Sequence, residues 1–181
     1  MAIIEDGTGS GRKAEVNAEN ELVVRAITEA EIEHASGKLG SAYVWDSLEK
    51  DIDATDTMLF VKNTGDVPLI LDRVAVNGSN VVCTWTYHIG SATTTPTGTS
   101  VIGVNMNRKF ASDLAEAIAF SDETAVSDGD LVGRVKTAID ETVKLDLTGF
   151  ILLKGHYVQF TQVTESTRGS VTLTGHFENP S

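Results

Sequence analysis

The chain reads TMLFVKN at Thr57–Asn63, TGD at Thr64–Asp66 and, after Pro68, LILDRVAV at Leu69–Val76. Both apolar segments have the two-residue alternation and the β-branched content of strands. Glycine and aspartate mark the turn between them, and the proline stands at a strand entrance, where it is tolerated. This pattern predicts two neighbouring antiparallel strands, with Asn77-Gly78 as a hairpin turn after the second.

Further short strands are predicted on both sides of this pair. They are Glu21–Thr28, Ala42–Trp45, Val81–Ile89, Val101–Asn107, Leu131–Ala138, Thr142–Leu147, Phe150–Leu153, Tyr157–Val163 and Ser170–Phe177. Phe110–Phe120 is open between a strand and a helix capped by Ser112, and the alternation of its apolar residues favours a strand. About eight to ten short strands separated by turn residues predict an all-β fold, an antiparallel β-sandwich of jelly-roll type.

Composition sets the class of protein. The chain has 181 residues, of which 41% are hydrophobic, enough for one good-sized core. Its 14 basic against 26 acidic residues give a net charge of −12, which disfavours nucleic acid and anionic membranes as partners. Cys83 is the only cysteine, so no internal disulfide forms, and we expect a small buried side chain. No apolar run is long enough to span a membrane, and no secretory signal is predicted.

A glycine-rich segment opens the chain and resembles a phosphate-binding loop only superficially. Counted from Gly7, the sixth position of a Walker loop is Arg12 instead of glycine, and Lys13 is followed by alanine. The next residues, Leu22–Ala26, are extended in character, so no helix N-terminus follows to hold an anion. Three glycines within Gly7–Gly11 instead indicate a segment that becomes ordered on another surface; the alternative is a frayed terminus.

No constellation of residues marks a catalytic or metal site. The four histidines lack the spacing of a metal pair, and each is expected at a sheet surface or interface; they are His34, His88, His156 and His176. Asp51-x-Asp53-x-Thr55 does not complete an EF-hand loop, although a weaker surface calcium site stays open. The larger aromatic side chains are expected in the core or an interface more than in a sugar groove; they are Trp45, Trp85, Tyr43, Tyr87 and Tyr157. The sequence therefore predicts no enzyme, no metal and no cofactor.

The N-terminal segment is the candidate functional element, as an assembly arm. We predict two parts of the chain: residues 1–35, an extended N-terminal arm with the first strand, and residues 36–181, the β-sandwich. An extended arm can add a strand to the sheet edge of a neighbour through main-chain hydrogen bonds. The predicted arm residues are Ile3, Ile4, Asp6, Gly7, Gly9, Gly11, Arg12, Lys13, Val16 and Asn17.

Several segments together resemble one family. They are Asp6–Gly11 with Ala14–Asn17, Phe60–Thr64 with Pro68–Leu71, Val104–Asn107, Ala115–Ala117 and Gly175–Glu178. They are similar to virion structural proteins of tailed bacteriophages, of the capsid decoration or accessory type, although Met106 and Arg108–Phe110 depart from that pattern. The resemblance implies a β-sandwich built for assembly, without catalytic residues.

The same resemblance implies partners and a location. The partners are the major capsid protein or other virion proteins, and the protein is a homo-oligomer, with a trimer favoured. The expected location is the virion, on the capsid exterior, after assembly in the cytoplasm of the bacterial host.

Three alternatives remain. One is a tail or connector component, such as an adaptor or a fibre base, which has different symmetry and few copies. A second is a carbohydrate-binding β-sandwich module that recognises a glycan through loops including Ser91–Thr99. The third is a hydrolase with an acidic site that no motif marks.

Overall fold

A computed structural model describes residues 3–5, 13–16, 22–23, 32, 35–52, 56–79, 81–91, 97–111, 113–121, 129–163 and 166–178. The chain divides into two compact units, Met1–Ala30 and Glu31–Ser181. In the first unit, β1 (Ile3–Glu5), β2 (Lys13–Val16) and β3 (Leu22–Val23) form an antiparallel sheet in that order. Of the strand predicted at Glu21–Thr28, only Leu22–Val23 lies within the described residues.

The second unit contains twelve described strands in two sheets. They are β4 (Ala42–Asp46), β5 (Lys50–Ile52), β6 (Thr57–Asn63), β7 (Leu69–Ser79), β8 (Cys83–Ser91), β9 (Thr99–Val101), β10 (Val104–Asn105), β11 (Ala117–Ser121), β12 (Asp130–Thr137), β13 (Glu141–Leu152), β14 (His156–Gln162) and β15 (Ser166–Phe177). Sheet I has the order β10-β4-β15-β7-β13, with β5 beside β15, and sheet II has the order β12-β8-β14-β6-β11-β9. A π-helical turn, Ala35–Leu39, and a 3-10 turn, Arg108–Phe110, complete the described elements.

Eight of the strands form four antiparallel pairs: β4–β15, β6–β14, β7–β13 and β8–β12. In every pair the facing residues are nearly equidistant along the chain from Lys109 and Phe110. Examples of facing residues are Trp45 and Leu173, Val61 and Val158, Val76 and Val143, and Trp85 and Val135. These eight strands of the second unit thus form one long hairpin whose ladder is shared between two sheets, which is the strand order of a jelly roll. The predicted all-β sandwich is confirmed.

The core lies between the two sheets and contains most of the large apolar side chains. Trp45 and Trp85 are fully buried in it, together with Leu71, Val74 and Phe160. Cys83 is also buried, and its thiol accepts a hydrogen bond from Nε2 of Gln162 at 3.2 Å. Trp45 and Trp85 are therefore core side chains, as the sequence predicts, and they do not line a surface groove.

The segment between β8 and β12 adds a lateral insertion to the eight-stranded roll. Strand β11 extends sheet II beside β6, and β9 follows it as the last strand of that sheet. In the chain, β9 is followed after Ile102 and Gly103 by β10, which pairs with β4 and is the last strand of sheet I. The chain therefore crosses between the sheets at Ile102-Gly103, and the short strand predicted at Val101–Asn107 is in fact two strands of different sheets.

Two local predictions are wrong in detail. Asn77-Gly78 is not a hairpin turn, because β7 continues to Ser79 and Gly78 pairs on both sides. A Cβ at Gly78 would lie 2.4 Å from Sγ of Cys83, so this glycine makes room for a core side chain. Strand β8 accordingly begins at Cys83 instead of Val81.

The ambiguous region at Phe110–Phe120 is a strand only in its last part. It begins at the end of the 3-10 turn, and β11 starts at Ala117. Ser112, the cap of the alternative helix, lies outside the described residues. Farther along, the two strands predicted at Thr142–Leu147 and Phe150–Leu153 are one strand, β13, with an irregularity between Asp146 and Phe150.

Candidate assembly surface

Both sheets end on the same side of the sandwich, at the insertion. Strands β9 and β10 are the terminal strands there, and no described strand pairs with the outer edge of either. An open edge attracts other chains unless charges, prolines or bulges block it. The two edge strands contain none of these, and the whole stretch from Val74 to Asn107 has no Asp, Glu, Lys or Arg. In a chain with a net charge of −12 this is an unusually neutral edge.

Five apolar side chains are exposed along this edge, and we call them the edge patch. Their exposed fractions are 67% for Leu48, 72% for Ile102, 59% for Val104, 76% for Leu114 and 39% for Ile118. The three highest values among the large apolar side chains of the described residues are all in this group. Single exposed apolar residues need no explanation, but a contiguous group of this kind marks an interaction surface.

Two shallow grooves lie on either side of Ile102. The first, with a volume of about 270 Å³, is lined by residues of β9 and β11 together with Leu114 and Ile118. The second, about 400 Å³, is lined by Leu48 and Val104 together with polar side chains that include Asp46 and Lys50. Ile102 contributes to the walls of both grooves, so the surface is an apolar ridge with a groove on each side.

Leu48 is held in a backbone conformation that leucine rarely adopts. Its φ is 59°, in the left-handed region, where a bulky side chain costs about 1–3 kcal/mol. The turn is fixed by Asp46, whose Oδ1 accepts from the Leu48 N–H at 2.7 Å, and by Ser47, whose Oγ accepts from the Val171 N–H at 2.9 Å. The strained backbone positions a leucine side chain that is two-thirds exposed. Burial of this side chain therefore contributes little to the stability of the fold.

The insertion is anchored beneath the edge patch by polar contacts. Asn105 donates through Nδ2 to the Gly40 carbonyl at 2.5 Å, and Asn107 donates to the Ser36 carbonyl at 2.8 Å. The hydroxyl of Tyr43 donates to the Leu114 carbonyl at 3.4 Å. Burial raises the pKa of Tyr43, and the nearby carboxylates add to this effect. The middle of the insertion is therefore fixed to the sandwich, and sequence patterns alone gave no sign of these contacts.

The described part of the predicted arm lies in β1 and β2. Ile3 and Ile4 are in β1 and face Glu15 and Ala14 of β2, the strand that contains Lys13 and Val16. Four of the ten predicted arm residues are thus in one three-stranded sheet, in which Val16 pairs with Leu22 of β3. The other six lie outside the described residues: Asp6, Gly7, Gly9, Gly11, Arg12 and Asn17.

The histidines are distributed over the sandwich and do not converge. Nδ1 of His176 lies 3.0 Å from Oδ2 of Asp72, a contact that joins β15 to β7. His88 and His156 are half-buried in β8 and β14. In the described ranges, no three His, Cys, Asp or Glu side chains are close enough to share a metal ion. His34 and most of the Asp51–Thr55 spacing lie outside those ranges.

None of the helical turns in the described part of the chain is long and apolar enough to cross a membrane. Comparisons with family models, with curated proteins and with solved structures each give no match. The fold and the edge patch are therefore the basis on which a function is assigned.

Proposed function

We propose that this chain is a non-enzymatic virion structural protein, a capsid decoration protein of a tailed bacteriophage that docks on the head shell through its N-terminal arm. The observation that carries this proposal is the edge patch. Three of its apolar side chains are exposed by two-thirds or more, and the edge strands β9 and β10 contain no charged residue. An exposed apolar surface of this kind becomes favourable when another protein covers it and removes it from water.

The fold and the charge agree with this role. Jelly rolls occur in viral capsid proteins and in lectins, so the fold favours two classes without deciding between them. The acidic charge keeps free copies soluble before assembly. The partners are the major capsid protein or other virion proteins and further copies of the same chain, as a trimer, and the site of action is the capsid exterior.

The carbohydrate-binding alternative is weakened, because the aromatic side chains best suited to bind a sugar are not on the surface. Trp45 and Trp85 are both in the core, with exposed fractions of 0% and 1%, and so they cannot stack on a sugar. Most of the loop at Ser91–Thr99 lies outside the described residues. A tail or connector component would use the same surfaces as a decoration protein, and copy number separates these two roles.

The arm is tested by deleting Met1–Asn20 and measuring how the purified protein binds particles that lack it. We expect binding to fall at least about 100-fold, because the strand that pairs with the shell is removed. The circular dichroism spectrum and the thermal transition of the sandwich should persist. A matched control replaces Glu15 and Glu19 by glutamine, which keeps the arm and should leave binding within about threefold. Normal particle binding by the folded, truncated protein would contradict the proposal.

A further inference from the structure

We infer that the edge patch is a contact between two copies of this chain, packed patch against patch across a two-fold axis. The contact uses Leu48, Ile102, Val104, Leu114 and Ile118, with β9 and β10 close to the axis and roughly perpendicular to it. The inference rests on the edge patch that also supports the proposed function, and it deepens that function by assigning the patch to a second copy of the chain while the arm docks on the shell. It holds whichever particle contains the protein.

The shape of the surface fits a second copy of itself. A two-fold axis brings the same patch of two subunits together, so the patch must be self-complementary. Ile102 lines two grooves, a mostly apolar one beside β11 and a mixed one beside β10 that contains Leu48 and Val104 together with polar side chains. Rotation about an axis close to the ridge places the Ile102 side chain of one copy against a groove of the other. Both grooves are then filled by apolar side chains instead of water.

The charge distribution favours an identical partner over a basic one. Two copies that each have a net charge of −12 repel one another wherever acidic faces meet. The least unfavourable place for contact is therefore a neutral surface, and the stretch from Val74 to Asn107 supplies one around Ile102 and Val104, while the charged neighbours of Leu48 and Leu114 lie at the margin of the contact. The groove beside β10 contains one acidic and one basic side chain, Asp46 and Lys50, which balance. A basic partner would gain more from the acidic faces elsewhere on the chain.

The backbone supports the same arrangement. Strands β9 and β10 end their sheets without a described neighbour, and across a two-fold axis the edge of one copy runs antiparallel to that of the other. Leu48 adds a second, independent indication, because its left-handed backbone costs stability and its exposed side chain gains little within one copy. Packing of Leu48 against the partner copy accounts for the retention of leucine at this position.

The first test measures molecular mass against concentration by sedimentation equilibrium of the full chain. We expect the wild-type mass to be an even multiple of the monomer, because a two-fold contact joins subunits in pairs and turns a trimer into a hexamer. The Ile102→Asp variant should raise the dissociation constant at least about thirtyfold, because a charge enters the centre of the contact. The matched control is Ile139→Asp, which changes an equally apolar side chain, 57% exposed, in the turn between β12 and β13. Its mass should not change.

A second variant separates association from folding. Leu48→Asn places a residue that tolerates the left-handed region at this position. We expect its melting temperature, measured at concentrations where the chain is monomeric, to be equal to or above that of the wild type. Association should nevertheless weaken about tenfold. A melting temperature clearly below that of the wild type would mean that Leu48 serves the fold of one copy, which overturns its assignment to the contact.

Cross-linking tests the symmetry. A residue near a two-fold axis lies close to its own copy in the partner, so Ile102→Cys should form disulfide-linked dimers under mild oxidation by copper phenanthroline and oxygen. Ile139→Cys should not, and the native Cys83 is buried in both variants. The inference is overturned by a wild-type chain that stays monomeric, or by a mass that Ile102→Asp leaves unchanged. Neither result affects the arm deletion, so failure of the contact and failure of the docking role are distinguishable.

Discussion

Replacing Asn63 by alanine is expected to lower the free energy of unfolding by about 3–5 kcal/mol. Asn63 is fully buried at the end of β6. Its Nδ2 donates to the carbonyls of Val67 and Leu152, both at 2.8 Å, and its Oδ1 accepts from the Gly65 N–H at 2.9 Å. The side chain thus joins the turn between β6 and β7 to the end of β13. Alanine leaves the two carbonyls without this partner, whereas the Gly65 N–H keeps a second acceptor, the Glu116 carbonyl at 3.1 Å.

Urea unfolding followed by tryptophan fluorescence measures the effect, and Asn77→Ala is the matched control. Asn77 makes one exposed hydrogen bond, from Nδ2 to Oγ1 of Thr142 at 3.1 Å. Its removal should cost no more than about 0.5 kcal/mol. A loss below about 1 kcal/mol for Asn63→Ala would mean that these turns are held together by other contacts.

Gly103→Ala is expected to lower the free energy of unfolding by about 2–3 kcal/mol, through overpacking of the core. Gly103 lies where the chain crosses from sheet II to sheet I. A Cβ there would be 2.5 Å from Nε1 and 2.9 Å from Cε2 of Trp45, a fully buried ring. The indole has little room to move, because Tyr43 packs on it with ring centroids 6.1 Å apart.

A double-mutant cycle with Trp45→Phe identifies the cause. Phenylalanine lacks the Nε1 atom, which has no hydrogen-bond partner among the described residues. The alanine at position 103 should therefore cost about 1 kcal/mol less in the Trp45→Phe background than in the wild type. Equal costs in the two backgrounds would show that backbone conformation, and not contact with the indole, makes glycine necessary at this position.

The strands were predictable from the sequence where an alternating or continuous apolar segment is also buried in the folded sheet. Thr57–Asn63 is β6 with the predicted bounds, and Ala42–Trp45 differs from β4 by one residue. Asn77-Gly78 was not predictable in this way, because a turn dipeptide and a glycine that gives space to a core thiol look the same in sequence. Packing against Cys83, a contact between residues of different strands, decides the outcome.

The edge patch was harder to foresee than the strands. Apolar residues in an alternating pattern are normally assigned to the core, and Ile118 follows such a pattern although it is 39% exposed. Which strands become sheet edges depends on pairing between distant segments, which periodicity does not contain. One signal was present in the sequence: a long stretch without Asp, Glu, Lys or Arg in an acidic chain. Six of the ten predicted arm residues lie outside the described ranges, so that prediction rests on the sequence and its resemblance.

The most direct measurement for the proposed role is the copy number of this chain in purified virions, by quantitative mass spectrometry scaled to the major capsid protein. A decoration protein follows the symmetry of the shell, so hundreds of copies per particle are expected. About a dozen copies or fewer would place the chain at the tail or its connector, where a single ring limits the number. That count would contradict decoration of the capsid, and absence of the chain from virions would contradict a structural role in the particle.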